Sequence, residues 1–576
     1  MKPAAEASSL SEPMNSSPSV SPSSSLSPSH FSSHSPPPPD SVERSWIVAI
    51  ALAAFALRFL NLLAIRENDP FFWYPSVDPL FYHQWAMRIA GGDWLGEGVF
   101  LQGPLYPYLL GALYGVTGPD LFIPRVLNAL AGALAPVLVW WVARRLFDRR
   151  VALLAAAMVA VYAMFVFYGG SLLIVNLLLP LTMIVLWSTL GAAERATPGA
   201  WLVAGLAIGM AALARPTLLL YGPFVLAWLF WVLRGRCGRA RRGFLALWLG
   251  AGLVLAIAPS TLRNAWVAGD PVLISASGGM NFFNGNNPDA TGTHTVPSLF
   301  DRSTADHPDE QNAMYRTYAE KQLGRPLTAS ETSNYWLGQA VDYIRSHPAD
   351  ALRLMVRKFL LFFNANEVWN NRSFELTRQF SWVLGMPLLN FGVVGPLAIL
   401  GLMVTARRWR ELLPLYAMIG VYLGNAMLFF VLSRYRAPVV PILMIFAASA
   451  LVWIFDAWPR RVGRLALAGV ALAVLGLAIR IPIFPPNLSM AYYNLGNKYQ
   501  SLGRHDEAVT QYRNSLSING DYISAHNNLA LSLEKGSHPR GEALAAWARV
   551  KAMGDRRGMA RYVERATRHL RDLAEQ

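Results

Sequence analysis

Asp78 stands first among the residues whose type and placement could do chemistry. It lies just past the apolar run that opens at Trp46, within FFWYPSVDPLFYHQWAMRIAGGDWLGEGVFLQGPLYPYLLGALYG. A positioned carboxylate can take the proton of a poorly nucleophilic hydroxyl, typically worth ~10²–10⁴ in rate. Guanidinium groups meet the complementary need, because their planar, paired donors match phosphate oxygens. Arg58, Arg215, Arg434 and Arg436 sit at or near the ends of apolar runs, where an ionisable side chain is a functional candidate by default. Arg434 and Arg436 share the turn Ser-Arg-Tyr-Arg-Ala-Pro with Tyr435 between them. Each residue also has a plainer reading. A loop aspartate among aromatics can be ordinary interfacial solvation, and an arginine near a span end can snorkel. On residue type alone the plain reading prevails for Asp78, balances function at Arg58, and gives way to function at Arg434 and Arg436. Arg215, before Pro216, resembles that pair, while Arg263 beside Asn264 could contact phosphate but reads more readily as a membrane-boundary marker.

The elements that must position these groups are apolar. Of 576 residues, 54% are hydrophobic and 15% charged, with mean hydropathy +0.31. Soluble chains carry nearer about 25% charged residues, so an all-α integral membrane protein is expected. Apolar stretches long enough for ~30 Å of hydrocarbon fall near 46–65, 121–143, 151–168, 171–190, 200–214, 216–233, 244–262, 381–404, 412–432, 437–455 and 465–481. That predicts about eleven spans. The segment 104–117, short and interrupted by proline, suits a re-entrant or interfacial helix.

Fifty Lys and Arg against thirty-five Asp and Glu leave a formal charge of +15. The excess lies in short loops at Arg144, Arg145, Arg149 and Arg150, at Arg234 to Arg242, at Arg407 to Arg410 and at Arg460 to Arg464. All fall on one side if the amino terminus is cytoplasmic, which is the positive-inside pattern. The charge is therefore a topology signal, and nucleic-acid binding is excluded because no folded basic face carries it. Loops 66–120 and 263–380 and the carboxy-terminal region then lie outside. A lone cysteine, Cys237, excludes an internal disulfide framework and a cysteine-based zinc site.

Three regions follow. Residues 1–43 form a Ser/Pro-rich tract expected to be a disordered cytoplasmic tail. Residues 44–481 form the polytopic core, and 488–576 a soluble repeat region. AYYNLGNKYQSLGRHDEAVTQYRNSL from Ala491 and AHNNLALSLEKG from Ala525 lie 34 residues apart, the tetratricopeptide period. Repeats are placed at 491–524 and 525–558, with a basic amphipathic helix over 553–573 as cap. Such stacks build a concave surface, which favours a protein partner over a purely structural role.

Taken as an ordered set, VDPLFYHQWA, GGDW and QGPLYPYLLGALYGVTG, then ARRLF, LARPTLLLYGP at 213–223, the stretch 259–293 and SRYRAPVVPILMIFA at 433–447 resemble the GT-C glycosyltransferases. The likeness is to bacterial members grouped with protein O-mannosyltransferases and lipid A aminoarabinose transferases, and it covers about 46–480. It implies transfer of a sugar from a polyprenyl-phosphate-linked donor to an acceptor on the external face, with inversion. It implies that Asp78 serves the acceptor as general base or binds it directly, with cationic stabilisation of the departing lipid phosphate. The substrate-binding set is then Arg58, Tyr82, His83, Arg215, Arg434, Tyr435 and Arg436. Relatives often carry a second acid, for which Asp93 and Glu97 are available; Asn176 stands where many have an acidic residue, which puts a metal-assisted scheme in doubt. Asn176 then reads as a helix–helix hydrogen-bonding residue.

Gly- and Asn-rich 275–293 makes turns by composition; the resemblance adds a sugar-contacting lid through Asn281, Asn284 and Asn286, covered by helical 330–363. His83 and His294 stand too far apart to argue for a metal site. No metal site is assigned, and a divalent cation is left open. The acceptor (protein, lipid or glycan) is also open, and the chain is placed in a bacterial inner membrane with membrane lipids around it. Two rivals remain: a surface-polysaccharide polymerase or ligase, and a non-enzymatic transporter or scaffold organised by the repeat tail. Sequon matches occur at Asn371 and Asn487.

Overall fold

The computed structural model describes residues 38–300, 308–370, 372–458, 462–484 and 488–575. The Ser/Pro tract through residue 37, Arg460, Arg461, and both sequon asparagines lie outside the described residues.

The described chain is a succession of helices. The first half runs α1 Ser41–Asn68, α2 Asp78–Ala90, α3 Leu105–Thr117, α4 Ile123–Leu146, α5 Arg149–Ala160, α6 Ala163–Gly169, α7 Val175–Arg195, α8 Pro198–Ala214, α9 Tyr221–Val232 and α10 Arg239–Ala268. The long connection between the two halves of the core holds α11 Gly278–Gly285, α12 Pro308–Leu323, α13 Ala329–Ser346, α14 Pro348–Phe363, α15 Phe374–Thr377 and α16 Trp382–Gly385. The second half of the core is α17 Phe391–Thr405, α18 Trp409–Leu428, α19 Ser433–Arg436, α20 Val440–Ala457 and α21 Val462–Ala478. The tail is α22 Leu488–Ser501, α23 His505–Ile518, α24 Ile523–Lys535, α25 Arg540–Arg557 and α26 Ala560–Glu575. The only β feature among these residues is an isolated bridge between Tyr162 and Leu389.

Six helical stretches are long and apolar enough to cross a membrane: Ser41–Asn68, Ile123–Leu146, Val175–Arg195, Arg239–Ala268, Phe391–Leu428 and Ser433–Ala457. Three shorter apolar ones, Pro198–Ala214, Pro216–Val232 and Val462–Ala478, accompany them. The expected stretches all fall on helices, with three corrections of outline. The 151–168 stretch breaks at Val161–Tyr162, where the chain pairs with Leu389 (Ala163 N to Leu389 O, 2.8 Å). That pairing needs extended backbone at 386–390, so the 381–404 span begins only at Phe391. The helix expected over 330–363 is two helices broken at His347–Pro348, because proline disfavours helical backbone in the residue before it.

Charge sorts the two ends of the bundle. At one end, Arg144 meets buried Glu43 at 2.6 Å, Arg149 meets Asp40 at 2.8 Å, and Arg150 meets Asp456 at 2.7 Å. Arg408 lies there too, its guanidinium over Phe147. The basic loops thus gather as one layer. At the other end lie the first loop, the region from α11 to α16, and the tail. Arg263 clasps the first loop through the carbonyls of Leu95 and Gly98 and covers Phe100 at 4.1 Å. It is a loop anchor rather than a simple boundary marker.

The tail forms two helix pairs, α22–α23 and α24–α25, closed by α26. The cap is shorter at its start than expected: Gly558, at φ 65°, ends α25, so residues 553–557 belong to that helix. Trp547, Val550, Ala566 and Leu573 share its core. The first pair also docks on the membrane region, since Ala491, Leu495 and Tyr499 share a core with Leu376, Phe71 and Trp369.

α8 and α10 approach closely because glycines face each other's backbone. A Cβ at Gly205 would overlap the Leu249 carbonyl, and one at Gly252 the Leu202 carbonyl. Small residues at such crossings let helices pack where lipid supplies no hydrophobic drive. We therefore expect Gly205→Val to overpack this crossing. Overpacking typically costs about 1–3 kcal/mol, which a thermal melt in detergent would register as a lowered Tm, while Gly250→Val, with open space at its Cβ, leaves it unchanged.

Candidate active site

α2 starts abruptly, because its first residue is Asp78 and its second is Pro79, which suits a first turn. The residue before it, Val77, has φ 55°, an uncommon conformation for a β-branched side chain. Backbone of this kind costs of order 1–3 kcal/mol and persists where surrounding structure imposes it. Its effect is to aim the Asp78 carboxylate inward, where it is buried.

There it forms an ion pair with Arg434, 356 residues away in sequence. Arg434 belongs to the short helix α19, and its neighbours are pinned from two sides. Ser433 N donates to Val368 O at 2.9 Å, and Val431 N to Gly292 O at 2.9 Å. Arg215 ends α8 and lies over the Tyr435 ring at 3.7 Å, while Arg434 lies over the same ring at 5.2 Å. Tyr82, one turn along α2 from Asp78, donates to Gln102 Oε1 at 2.8 Å and sits edge-on to Tyr106. Asp78, Tyr82, Arg215, Arg434 and Tyr435 therefore form one cluster, built from three distant segments.

A crevice opens beside it, lined by Pro79, Tyr168, Ser171, Glu367, Trp369 and Arg434. A second crevice shares Pro79, Ser171 and Arg372 with the first and continues to Asp69, Phe71 and Arg125. Arg372 is ion-paired with Asp69 and lies over Phe71 at 4.9 Å. Because Phe71 and Trp369 also touch the tail, the first repeat flanks this trench.

Other expected residues lie elsewhere. Arg58 is fully buried, and its guanidinium donates to the carbonyls of Ala54 at 2.9 Å and Ala160 at 3.2 Å. It crosslinks α1 to the end of α5. Arg436 donates to Phe362 O and Asn364 O at 2.9 and 2.6 Å and pairs with Glu367 at 2.8 Å. With its donors engaged inside the protein, it braces the turn that presents Arg434. His83 faces Tyr114 at 2.8 Å rather than the cluster. Asp93 accepts from the Gly96 N–H at 2.8 Å in an exposed turn, and Glu97 faces solvent. Asn284 accepts from the Tyr315 hydroxyl, and Asn286 bonds Phe282 O, Leu428 O and the Lys358 ammonium. Asn281 is half-buried on α11. Asn284 and Asn286 are thus tied into the scaffold instead of forming a free sugar lid. Asn176 of α7 donates to the carbonyl of Tyr168 in α6 and to those of Ser171 and Leu173 in the connecting loop, so it bonds one helix to the next and closes the loop between them.

Glu367 escaped sequence reasoning, and His294 stands out in the sequence only as a lone histidine. Glu367 lines the crevice as a second carboxylate; its only sequence signal is a lone acid among asparagines and aromatics in NANEVWNN. His294 packs on Phe430 at 5.0 Å, within the electrostatic reach of Arg434 and Asp78. Burial holds its pKa down to about 4, so the imidazole is neutral at pH 7. Among the described residues, no group of three or more His, Cys, Asp or Glu side chains could hold a metal ion.

Two outcomes are expected. Removing one partner of a buried ion pair typically costs about 3–5 kcal/mol because a lone charge remains. In thermal unfolding, Asp78→Asn and Arg434→Met should each lower Tm, and the double variant should recover much of that loss. For His294, the unfolded chain takes up a proton near its ordinary pKa of 6.5 while the folded chain does not until about 4. Stability should thus fall as pH drops from 6.5 to 4, and His294→Gln should flatten that window in a pH series of melts.

Comparison with known proteins bears on this site. Residues 102–262 match the family model described as dolichyl-phosphate-mannose-protein mannosyltransferase, and 496–536 match a TPR repeat model. The first match begins after Asp78 and ends before Arg434. The undecaprenyl phosphate-alpha-4-amino-4-deoxy-L-arabinose arabinosyl transferase of Pseudomonas aeruginosa strain UCBPP-PA14 is 30% identical over 222 residues, covering 36% of this chain and 39% of that protein. The chain thus spans well under half the length of this curated relative. Among solved structures, the archaeal oligosaccharyltransferase AglB from Archaeoglobus fulgidus matches at TM-score 0.43 and 17% identity, covering 81% of this chain and 59% of that one. ArnT from Cupriavidus metallidurans in the apo state matches at TM-score 0.40 and 16% identity, covering 89% and 81%. Residues 102–262 are thus similar to the dolichyl-phosphate-mannose-protein mannosyltransferase family, and residues 496–536 to the tetratricopeptide repeats.

Proposed function

We propose that the chain is a membrane glycosyltransferase that moves a sugar from a polyprenyl-phosphate donor to an acceptor hydroxyl on the extracytoplasmic face, inverting the anomeric carbon. The observation that carries this reading is the pairing of Asp78 with Arg434 beside Arg215, in a trench open to the first loop. The likeness of 102–262 to that family model and the aminoarabinose-transferase relative support the donor class.

The chemistry follows from the charges. The donor phosphate brings negative charge to Arg434 and Arg215, whose fixed donors stabilise it as it departs. As Arg434 turns to the phosphate, Asp78 loses its counter-charge and can accept the proton of the acceptor hydroxyl. The acceptor oxygen then bonds to the anomeric carbon as the carbon–oxygen bond to phosphate breaks, and the electron pair leaves with the polyprenyl phosphate. Attack from the face opposite the leaving group gives inversion. Tyr435 keeps the two guanidinium groups together, since a cation over an aromatic face gains about 0.5–2 kcal/mol.

Orientation is part of the same proposal. The basic loops at one end face the cytoplasm with the amino terminus, and the trench and tail lie outside. The gathering of Arg144, Arg149, Arg150 and Arg408 in one layer supports this arrangement, as does the docking of α22 on the external loops. A bacterial inner membrane fits the Pseudomonas relative. The repeats that flank the trench are suited to bind a protein partner there.

The test is transfer in vesicles supplied with radiolabelled polyprenyl-phosphate sugar. Asp78→Asn should reduce transfer by about 10²-fold or more, and Arg434→Lys, which loses the planar fork, should raise the donor KM. Near-normal transfer by Asp78→Asn would remove the mechanism.

A further inference from the structure

α14 is the element whose surface the proposed chemistry leaves unexplained. Its sixteen residues span about 24 Å at 1.5 Å per residue, short of the ~30 Å hydrocarbon thickness. It also carries Asp350, Arg353, Arg357 and Lys358, which argue against a transmembrane path. Yet Leu352, Met355, Val356, Phe359 and Leu360 are each 46–63% exposed. Their spacing of three and four residues puts them on one face. The opposite face, Leu354, Lys358, Leu361 and Phe362, is buried against the protein. Arg353 and Arg357 run along the edge between the two, beside a crevice they share with Tyr343 and His347. α13, one element earlier, shows no such stripe: its exposed positions are mostly polar, including Asn334, Gln339, Asp342 and Arg345.

We propose that α14 lies in the plane of the outer leaflet, with its Leu352–Leu360 stripe in the acyl boundary and Arg353 and Arg357 among lipid phosphates. Three observations commit the face to lipid rather than to a protein. An apolar arc bordered by arginines and tyrosine is the pattern of a helix lying in a membrane interface. The helix is tied to the external ends of the spans, since the Lys358 ammonium donates to Met427 O at 3.1 Å, at the end of α18. Its carboxy-terminal carbonyls hold Arg436, one residue beyond Tyr435. The leaflet surface therefore passes at the level of the Asp78–Arg434 cluster. This inference needs only a membrane-spanning core and is independent of the reaction assigned to the cluster.

The test uses the full chain with Cys237→Ser, carrying a nitroxide on Val356→Cys or on Arg353→Cys, in vesicles of phosphatidylcholine and phosphatidylglycerol. Power saturation compares access of oxygen, which concentrates in hydrocarbon, with access of a water-soluble nickel complex. The oxygen-to-nickel ratio at 356 should exceed that at 353 by about fivefold or more. A nickel-accessible label at 356 would place the stripe in water, and a label shielded from both reagents would place it against protein or a second copy; either result overturns the proposal. If Val356→Cys does not fold, Leu360→Cys reports on the same face with the same expectation.

Discussion

A carboxylate and a guanidinium held together largely away from water organise the half of this protein that carries the first loop and the tail. Bringing Asp78 and Arg434 out of solvent carries a desolvation penalty of several kcal/mol per ion, so the pair persists only if the surroundings hold both partners in place. The structure meets that demand from several directions. Val77 enters α2 in a strained conformation, Val368 and Gly292 accept the backbone hydrogen bonds of Ser433 and Val431, and Arg436 braces the same turn through Glu367 and two carbonyls. A second guanidinium, Arg215, is kept close to Arg434 by the shared Tyr435 ring. The result is concentrated positive charge with one carboxylate against it, an arrangement that an arriving phosphate can rearrange.

The other arginines show that a buried cation is not by itself a ligand site. Arg58 and Arg436 rank among the buried charges, yet their donors are directed at backbone carbonyls, including those of Ala160, Phe362 and Asn364 at or beyond helix ends, which lack intrahelical partners. Arg125 behaves alike, bonding Gly170 O at 2.9 Å and covering Phe72 at 4.2 Å. In a protein with few polar side chains, long guanidinium groups supply the donors that close irregular segments within the bundle. Arg434 differs because its guanidinium pairs with Asp78 and itself lines a crevice, with Arg215 held beside it over the shared Tyr435 ring.

The tail gains a structural meaning from its place. Its first helix shares a core with Phe71, Trp369 and Leu376, and Phe71 and Trp369 also line the two crevices. Phe71 lies between two cations, Arg372 at 4.9 Å and Lys498 of α22 at 5.6 Å. The repeat is therefore joined to the mouth of the trench by contacts that combine apolar burial with charge on aromatic faces.

Apolar runs, proline positions and the 34-residue repeat announced helices, a membrane-sized core and a repeat tail, because each of those signals is local: hydrophobic length, backbone restriction and periodicity are properties of adjacent residues. Asp78 and Arg434 could be singled out by type, and basic loops by composition. What residue types could not reveal was which charges meet. Arg58, Arg434 and Arg436 look alike in the chain, and only the folded path separates the Arg58 and Arg436 crosslinks from the partner of Asp78. Glu367 was invisible, and His294 legible only as a lone histidine, for the same reason, since each meets partners more than sixty positions away, Arg436 and Phe430 respectively. Local backbone preference is written along the chain, whereas electrostatic partnership depends on distance in space, and that is set only when the helices pack.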